Sequence, residues 1–226
     1  MIVFVEDISP SSKALKICAG IIILAGAVWG PNNSRADSQA GNDANAALLY
    51  KKGENYYRGR EVPRDRQQAA ELYKQAAALG SLQAQNKLGY LYEQGEGVEQ
   101  DLTTAFSWYR KAAEAGYLTA QYNLAEKYRL GIGTTKDEQQ ALAWCRRAAL
   151  SGHRNAMLRL AGYYTQGVGG EQDYPRALAW YSIAMELGTL VQYGMKNALE
   201  GKMSQEELFQ SENIIRELRA SISSGH

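Results

Sequence analysis

Few residues of this sequence combine the types and spacing that catalysis or metal binding requires. Its two histidines are His153 and His226, and they do not form a metal-ligand pair of recognised spacing. The motifs G-x-S-x-G and H-E-x-x-H and the P-loop do not occur. The G-x-G pairs, such as Gly131 and Gly133, follow predicted helices and not strands, so they lack the context of a dinucleotide-binding loop. The sequence therefore predicts no catalytic residue, no cofactor and no metal site.

The dominant feature is a pattern that recurs every 36 residues without a gap. Self-similarity at this period is typical of stacked-repeat architectures. We divide the pattern into four units, 48–83, 84–119, 120–155 and 156–191. Glycine recurs at Gly59, Gly95, Gly131 and Gly167 and at Gly80, Gly116, Gly152 and Gly188, and aspartate recurs at Asp65, Asp101, Asp137 and Asp173.

Each unit is predicted to contain two helices, and unit 84–119 shows the pattern most fully. Its first helix carries an apolar stripe in which Ala84, Leu88 and Leu91 share one helical face. Gly95 is expected to end this helix. The loop that follows has the same length in every unit, which predicts the same hairpin geometry in each.

The second helix of each unit is predicted to start after an aspartate N-cap, such as Asp101. Gln68 and Gln140 lie three residues after the equivalent aspartates and predict a capping box in two units. The apolar face of this helix is expected to bury an indole among small residues, since a tryptophan can bury roughly 150–250 Å². In the second unit that face comprises Ala105, Trp108, Ala112 and Ala113.

The N-terminal region has the pattern of a secretory signal peptide. A basic segment precedes the apolar run Ile17–Val28, which is shorter than the roughly 20 residues of a transmembrane span. Ser34 and Ala36 occupy small-residue positions before a possible cleavage point. We interpret 1–36 as a signal peptide cleaved after Ala36, and 37–47 as a linker and the start of the first helix. Periplasmic or secreted localisation follows, and an uncleaved membrane anchor is the alternative.

The charge balance and the cysteine content further limit the classes of function that the sequence allows. The sequence has 25 lysine and arginine residues and 24 aspartate and glutamate residues. Because the positive and negative charges nearly balance, nucleic-acid binding is disfavoured. With Cys18 in the leader, Cys145 would remain without a disulfide partner. Cys145 replaces the tyrosine of neighbouring units, beside Trp144. We interpret its thiol as buried and unreactive, with a nucleophile as the alternative.

The C-terminal region 192–220 is predicted to form capping helices. Ser204 and Glu207 form a capping-box pattern at the start of an amphipathic helix. This helix is expected to cover the open end of the array. Its apolar residues are Leu208, Ile214, Ile215 and Leu218. Residues 221–226 are predicted to be a flexible tail.

The repeat pattern A-x-x-x-L-G-x-x-Y-x-x-G-x-G-V, then D, then A-x-x-W-Y-x-K-A-A-x-x-G, resembles the Sel1-like repeat (SLR), a relative of the tetratricopeptide repeat (TPR). The residues that carry the resemblance are Ala84, Leu88, Gly89, Tyr92, Gly95, Gly97, Val98, Asp101, Ala105, Trp108, Tyr109, Lys111, Ala112, Ala113 and Gly116. It implies an all-α fold, a right-handed α/α superhelical solenoid of TPR-like helical hairpins. It also implies an adaptor or regulator that binds proteins or peptides.

By analogy with the TPR, first-helix residues outside the apolar stripe would line a concave groove that binds the partner. Tyrosine, arginine and amide side chains suit such a surface. The candidates are Tyr50, Glu54, Tyr57 and Arg58 in the first unit, Asn86, Tyr90, Glu93 and Gln94 in the second, and Tyr122, Glu126 and Arg129 in the third. An ordinary solvated face with a few packed tyrosines is the alternative.

The prediction for function is a non-catalytic, exported interaction protein of the bacterial cell envelope, with a protein or peptide as its partner. One group of secreted SLR relatives pairs cysteines within each repeat and binds or hydrolyses β-lactams. Cys145 alone lacks that pattern, which weakens the alternative of a hydrolase acting on β-lactams or cell-wall peptides. A membrane-tethered scaffold is the third interpretation.

Overall fold

The computed structural model describes residues 31–188 and 193–224, and all regular elements of this part of the chain are α-helices. They are α1 (Pro31–Arg58), α2 (Arg66–Ala78), α3 (Leu82–Gln94), α4 (Leu102–Glu114), α5 (Leu118–Leu130), α6 (Glu138–Leu150), α7 (Arg154–Gln166), α8 (Tyr174–Glu186), α9 (Tyr193–Glu200) and α10 (Gln205–Ser224). The apolar run 17–28, residues 189–192 and His226 lie outside the described residues.

The helices pack mainly on their neighbours in sequence. The pairs α1–α2, α3–α4, α5–α6 and α7–α8 form hairpins, and the second helix of each hairpin packs against the first helix of the next. The small, fully buried alanines of both helices allow this close approach. Such nearest-neighbour packing is an α/α solenoid and confirms the predicted fold class.

The aspartate N-caps predicted from the sequence are present in all four hairpins. Each carboxylate accepts a backbone N–H of the following first turn at 2.8–3.0 Å. The capping boxes predicted at Gln68 and Gln140 are wrong. The backbone N–H groups of Asp65 and Asp137, which a capping box would use, instead donate across the loop to the carbonyls of Tyr56 and Tyr128.

The most buried large residue of the second helix is not the tryptophan. Trp108 and Trp144 are half-buried, whereas Tyr109 is buried. Tyr109 faces the first helix of its own hairpin, where a Cβ added to Gly89 would lie 2.8 Å from its ring. Trp180 is the exception and is only 3% exposed. Trp108 and Trp144 still pack against buried clusters of the core, so the expectation that the tryptophans face inward holds, but only Trp180 is buried.

Helix α1 is longer than the first helices of the later hairpins. It starts at Pro31, upstream of the predicted cleavage point at Ala36, and it includes residues 37–47. Residues 39–45 are exposed, and burial begins at Ala46. Only the C-terminal half of α1 therefore contributes to the core of the first repeat.

The C-terminal helices cover the last hairpin. Helices α9 and α10 pack against α8, and α10 also contacts α6. Ile215 and Leu218 of α10 contact the buried cluster that contains Trp180. The Ser204–Glu207 capping box forms, with reciprocal bonds of 2.8 and 3.2 Å. Helix α10 continues through Ser224, beyond the start of the tail expected at residue 221, because no glycine or proline interrupts it before Gly225.

Candidate protein-binding surface

Side chains of successive first helices meet along one side of the described repeats. Asn123 on α5 donates to Asn86 on α3 at 2.9 Å. Lys87 on α3 lies 3.5 Å from a carboxylate oxygen of Glu54 on α1. We use the name first-helix surface for the eleven candidate residues together with Lys51, Lys87, Asn123, Lys127, Arg159 and Gly162. These contacts make the surface continuous from one repeat to the next.

Three carboxylates form the floor of the first-helix surface. Their side chains are only 15–16% exposed. Each accepts a hydrogen bond from a tyrosine hydroxyl: Tyr73 to Glu54 at 2.7 Å, Tyr109 to Glu93 at 3.0 Å and Tyr163 to Glu126 at 3.2 Å. The carboxylates are therefore held by the fold itself, because buried charges require hydrogen-bonding partners.

Glu54 has cationic partners as well as its tyrosine. Arg58 Nε lies 2.7 Å and Lys87 Nζ 3.5 Å from its oxygens. Burial opposes ionisation of Glu54, but the hydrogen bond from Tyr73 and the charges of Lys87 and Arg58 outweigh it and lower its pKa. Burial and the same hydrogen bond raise the pKa of Tyr73. Glu54 is thus ionised at neutral pH.

The other two carboxylates are paired across repeats. Glu93 on α3 binds Lys127 on α5. Glu126 on α5 binds Arg129 at 2.7 Å within its own helix and Arg159 of α7 at 3.0 Å. The hydrogen bond to Glu126 raises the pKa of Arg129. Because each pair except that of Arg129 joins two hairpins, the network links the first helices along the array.

Aromatic rings surround the same charges. The ammonium group of Lys87 lies 4.0 Å from the ring centre of Tyr57 and 5.4 Å from that of Tyr90. The hydroxyl of Tyr57 donates to Glu96 at 2.8 Å. At the third repeat, the ring of Tyr122 stacks on His153 with 4.9 Å between centres. The surface therefore combines cations and aromatic faces, which attract each other.

The candidate residues differ in accessibility. Arg58, Tyr90 and Gln94 are exposed, and the others are half-buried. Tyr50 packs against Tyr73, with ring centres 5.6 Å apart. Gln94 is the last residue of α3, as Arg58 is of α1. The three glutamates contribute more to the internal hydrogen bonding of the first-helix surface than to its accessible area.

Four cations of this surface, Lys51, Lys87, Lys127 and Arg159, were not predicted from the sequence. Lys87 and Arg159 lie one and three repeat periods after Lys51, so comparing this position among the units would have found them. Lys127 had no such signal. It occupies the position of Leu91 in the apolar stripe, and its burial depends on Glu93 of the preceding repeat.

The structure gives no catalytic environment to Cys145, the candidate nucleophile of the sequence. Cys145 is fully buried, its thiol donates to the carbonyl of Ala156 at 3.3 Å, and burial raises its pKa to about 12. This confirms the interpretation of a buried thiol, because the thiolate is the reactive form. Within residues 31–188 and 193–224 no group of histidine, cysteine, aspartate and glutamate side chains could hold a metal ion. In the same ranges no helix combines the length and the hydrophobicity of a transmembrane segment.

Comparison with solved structures identifies related folds. A Sel1 repeat protein from Oxalobacter formigenes shares 36% identity with a TM-score of 0.61, over 65% of this chain and 58% of that one. The protein c5321, a protective antigen of uropathogenic Escherichia coli strains with an SLR fold, shares 34% identity with a TM-score of 0.70, over 79% of this chain and 38% of that one. This chain thus matches less than two thirds of the length of either. A comparison with curated proteins found no match.

The family model of the Sel1 repeat matches four consecutive segments, 46–81, 82–117, 118–153 and 154–189. Each begins two residues before the corresponding unit of the sequence analysis. The matches cover more than half of the 226 residues, and Sel1 repeat proteins generally mediate protein–protein interactions. With four matched repeats and the α/α solenoid that they form, this chain belongs to the Sel1 repeat family.

Proposed function

We propose that this chain is an exported, non-catalytic interaction protein that acts as an adaptor or regulator in the bacterial cell envelope. The first-helix surface carries the proposal, because it joins charged and aromatic side chains of successive repeats into one face. Such groups dominate the binding energy of protein interfaces. Membership of the Sel1 repeat family supports a protein or peptide as the partner.

Two features support export. The basic segment and apolar run at 13–28 have the pattern of a signal peptide. One structural relative, c5321, is a protective antigen of its organism. Cleavage after Ala36 would remove the first residues of α1 and leave the buried part, from Ala46 onward, intact.

Export is tested by expressing the full chain with a C-terminal tag in Escherichia coli and fractionating the cells. The expected product is periplasmic or secreted, with an intact mass that starts at Asp37. A membrane-bound product that retains Met1 would support the tethered scaffold instead. A full-length product in the cytoplasm would contradict the proposal.

The binding face is tested by incorporating a photo-crosslinking amino acid at Tyr90, the most exposed tyrosine of the first-helix surface. A variant that carries the same group at Ser107, which is exposed on α4, is the control. We expect an envelope protein to crosslink from position 90 and not from position 107. Crosslinking from position 107 alone would place the partner on the second helices and contradict the assignment.

A further inference from the structure

The charges of the first-helix surface are not equally accessible. The carboxylates of Glu54, Glu93 and Glu126 are only 15–16% exposed and already accept hydrogen bonds from buried tyrosines. The cations lie further out. Exposed fractions of their side chains are 50% for Arg58, 20% for Lys87, 30% for Arg129 and 41% for Arg159. A partner therefore meets positive groups first.

The cations also outnumber the carboxylates. Lys51, exposed at the repeat position of Lys87 and Arg159, joins the four cations above and the more buried Lys127. Six positive groups thus surround three negative ones. The nearby carboxylate of Glu96 does not change this excess, because Arg66 lies 3.3 Å from it. The whole chain has a formal net charge of only +1, so the positive charge is a local property of this face.

Gly162 opens the surface next to one of these cations. It occupies the repeat position of Glu54, Tyr90 and Glu126, and a Cβ built on it would meet no atom within 4 Å. It lies in the interior of α7, three residues after Arg159, where glycine is unfavourable by about 1 kcal/mol relative to alanine. The missing side chain leaves open space on the same helix, about one turn from Arg159, for a group from outside.

We propose that the first-helix surface binds an acidic peptide segment, whose aspartate or glutamate carboxylates pair with Arg58, Lys87, Arg129 and Arg159. Guanidinium groups suit carboxylates because they can donate two parallel hydrogen bonds. The proposal rests on the peptide-binding function proposed above and adds the chemistry of the partner.

A peptide fits the surface better than a nucleic acid does. Three carboxylates are interspersed among the cations, so the positive groups are discontinuous, whereas a nucleic acid presents a continuous chain of phosphates. A peptide presents both carboxylates for the cations and backbone N–H groups for exposed acceptors such as the Gln94 side chain. The exposed ring of Tyr90 adds a face on which apolar peptide side chains can pack.

The test begins with selection of an unbiased library of 12-residue peptides on the immobilised full chain. We expect the enriched peptides to carry more aspartate and glutamate than the starting library. Enrichment of neutral or basic peptides would overturn the acidic inference while leaving peptide binding intact. No enrichment of any sequence would instead count against both the proposed function and this inference.

The affinity of the most enriched peptide then tests which charges bind it. Arg129→Gln with Arg159→Gln should weaken binding by about tenfold. Arg110→Gln with Lys136→Gln, which removes two exposed cations away from this surface, should change binding by less than about twofold. Replacing the aspartates and glutamates of the peptide by asparagine and glutamine should abolish the difference between the two variants. Equal weakening by both pairs would overturn the proposal.

A third variant gives an effect of opposite sign. Glu126→Gln removes a negative charge but keeps an oxygen that can accept from Tyr163, so it should strengthen peptide binding by about two- to threefold. A loss of folding cannot produce such a gain. Unchanged or weaker binding by a folded Glu126→Gln protein, or equally strong binding of a single-stranded thymidine oligonucleotide, would overturn the proposal.

Discussion

Single residues differ between repeats at equivalent positions, and His153 is one example. It occupies the N-cap of α7, where Ser81 caps α3. Its Nδ1 accepts the backbone N–H of Ala156 at 3.2 Å, and its ring stacks on Tyr122. Burial lowers the pKa of His153. Because protonated imidazole has no acceptor, protonation removes this cap.

We therefore expect the free energy of unfolding to fall as the pH drops below about 6.5, the ordinary pKa of histidine. The unfolded chain binds the proton more readily than the folded one, and the loss ends once the pH is below the lowered folded pKa. His153→Ser should retain a cap like that of Ser81 and lose most of this dependence. Urea unfolding of both proteins at pH 7, 6 and 5 measures the effect. Identical pH profiles would show that His153 does not titrate on unfolding.

Residues at the same repeat position also differ in how deeply they are buried. Trp180 is 3% exposed, whereas Trp144 is half-buried. Trp180→Ala should lower the free energy of unfolding by about 3–5 kcal/mol, because it leaves a cavity under α10. Trp144→Ala should cost about half as much. Chemical unfolding of both variants gives the comparison, and equal losses would mean that the indoles are buried alike.

At the scale of elements, glycine within a first helix decides how closely the second helix approaches. A Cβ added at Gly53 or Gly89 would lie 2.7 or 2.8 Å from the ring of Tyr73 or Tyr109. In the third hairpin the corresponding pair is Ala125 and Cys145, where the smaller thiol leaves room for a methyl group. In the first two hairpins the tyrosine ring thus occupies the space that a facing side chain would need. The fourth hairpin has Ala161 and Tyr181 at these positions, so a ring can also pack opposite a methyl group.

Two glycine-to-alanine changes should therefore have opposite effects. Gly89→Ala places a methyl group against the Tyr109 ring and should lower the free energy of unfolding by about 1–3 kcal/mol. Gly162→Ala meets no atom within 4 Å and should raise it by about 0.5–1 kcal/mol through helix propensity. Thermal and urea unfolding measure both. Destabilisation by Gly162→Ala would show that the space at Gly162 is not open.

Helix boundaries were predictable from the sequence because they depend on local chemistry. The aspartate caps and the left-handed glycines Gly95, Gly131 and Gly167 act on adjacent turns. The absence of the capping boxes and the partial exposure of Trp108 and Trp144 were not predictable in this way. The first depended on a loop hydrogen bond and the second on the position of the opposite helix, and neither is encoded within a single helix.

At the scale of the whole molecule, a second set of glycines sets the distance between repeats. Each has a positive φ and touches the first residue of the preceding hairpin's second helix. A Cβ at Gly97, Gly133 or Gly169 would lie 2.1, 2.0 or 2.5 Å from the carbonyl oxygen of Arg66, Leu102 or Glu138. In the first repeat Glu61 occupies this position with a φ of 64°, and no preceding hairpin lies within the described residues.

The candidate site could be predicted only in part, because several of its contacts join residues of different helices and different repeats. Reading one repeat at a time identified Glu54, Glu93 and Glu126 as members of a shared surface. It could not show that these carboxylates are held by tyrosines, or that Lys127 of the next repeat neutralises Glu93. The bond from Tyr109 to Glu93 forms when the two helices of one hairpin pack together. The contacts of Lys127 with Glu93 and of Tyr163 with Glu126 form when hairpins stack.

Gly133→Ala tests whether the repeats unfold as one unit. The methyl group would collide with the Leu102 carbonyl, so the interface between the second and third hairpins should open and the free energy of unfolding should fall by more than about 2 kcal/mol. Because the stability of a solenoid is a sum over repeats and their interfaces, the urea transition should also broaden or split. Gly116→Ala is the control: its φ is 91° but nothing lies within 4 Å, so it should cost about 1 kcal/mol and leave the transition sharp. If the two variants unfold with the same midpoint and slope, the contact at Gly133 does not couple the hairpins.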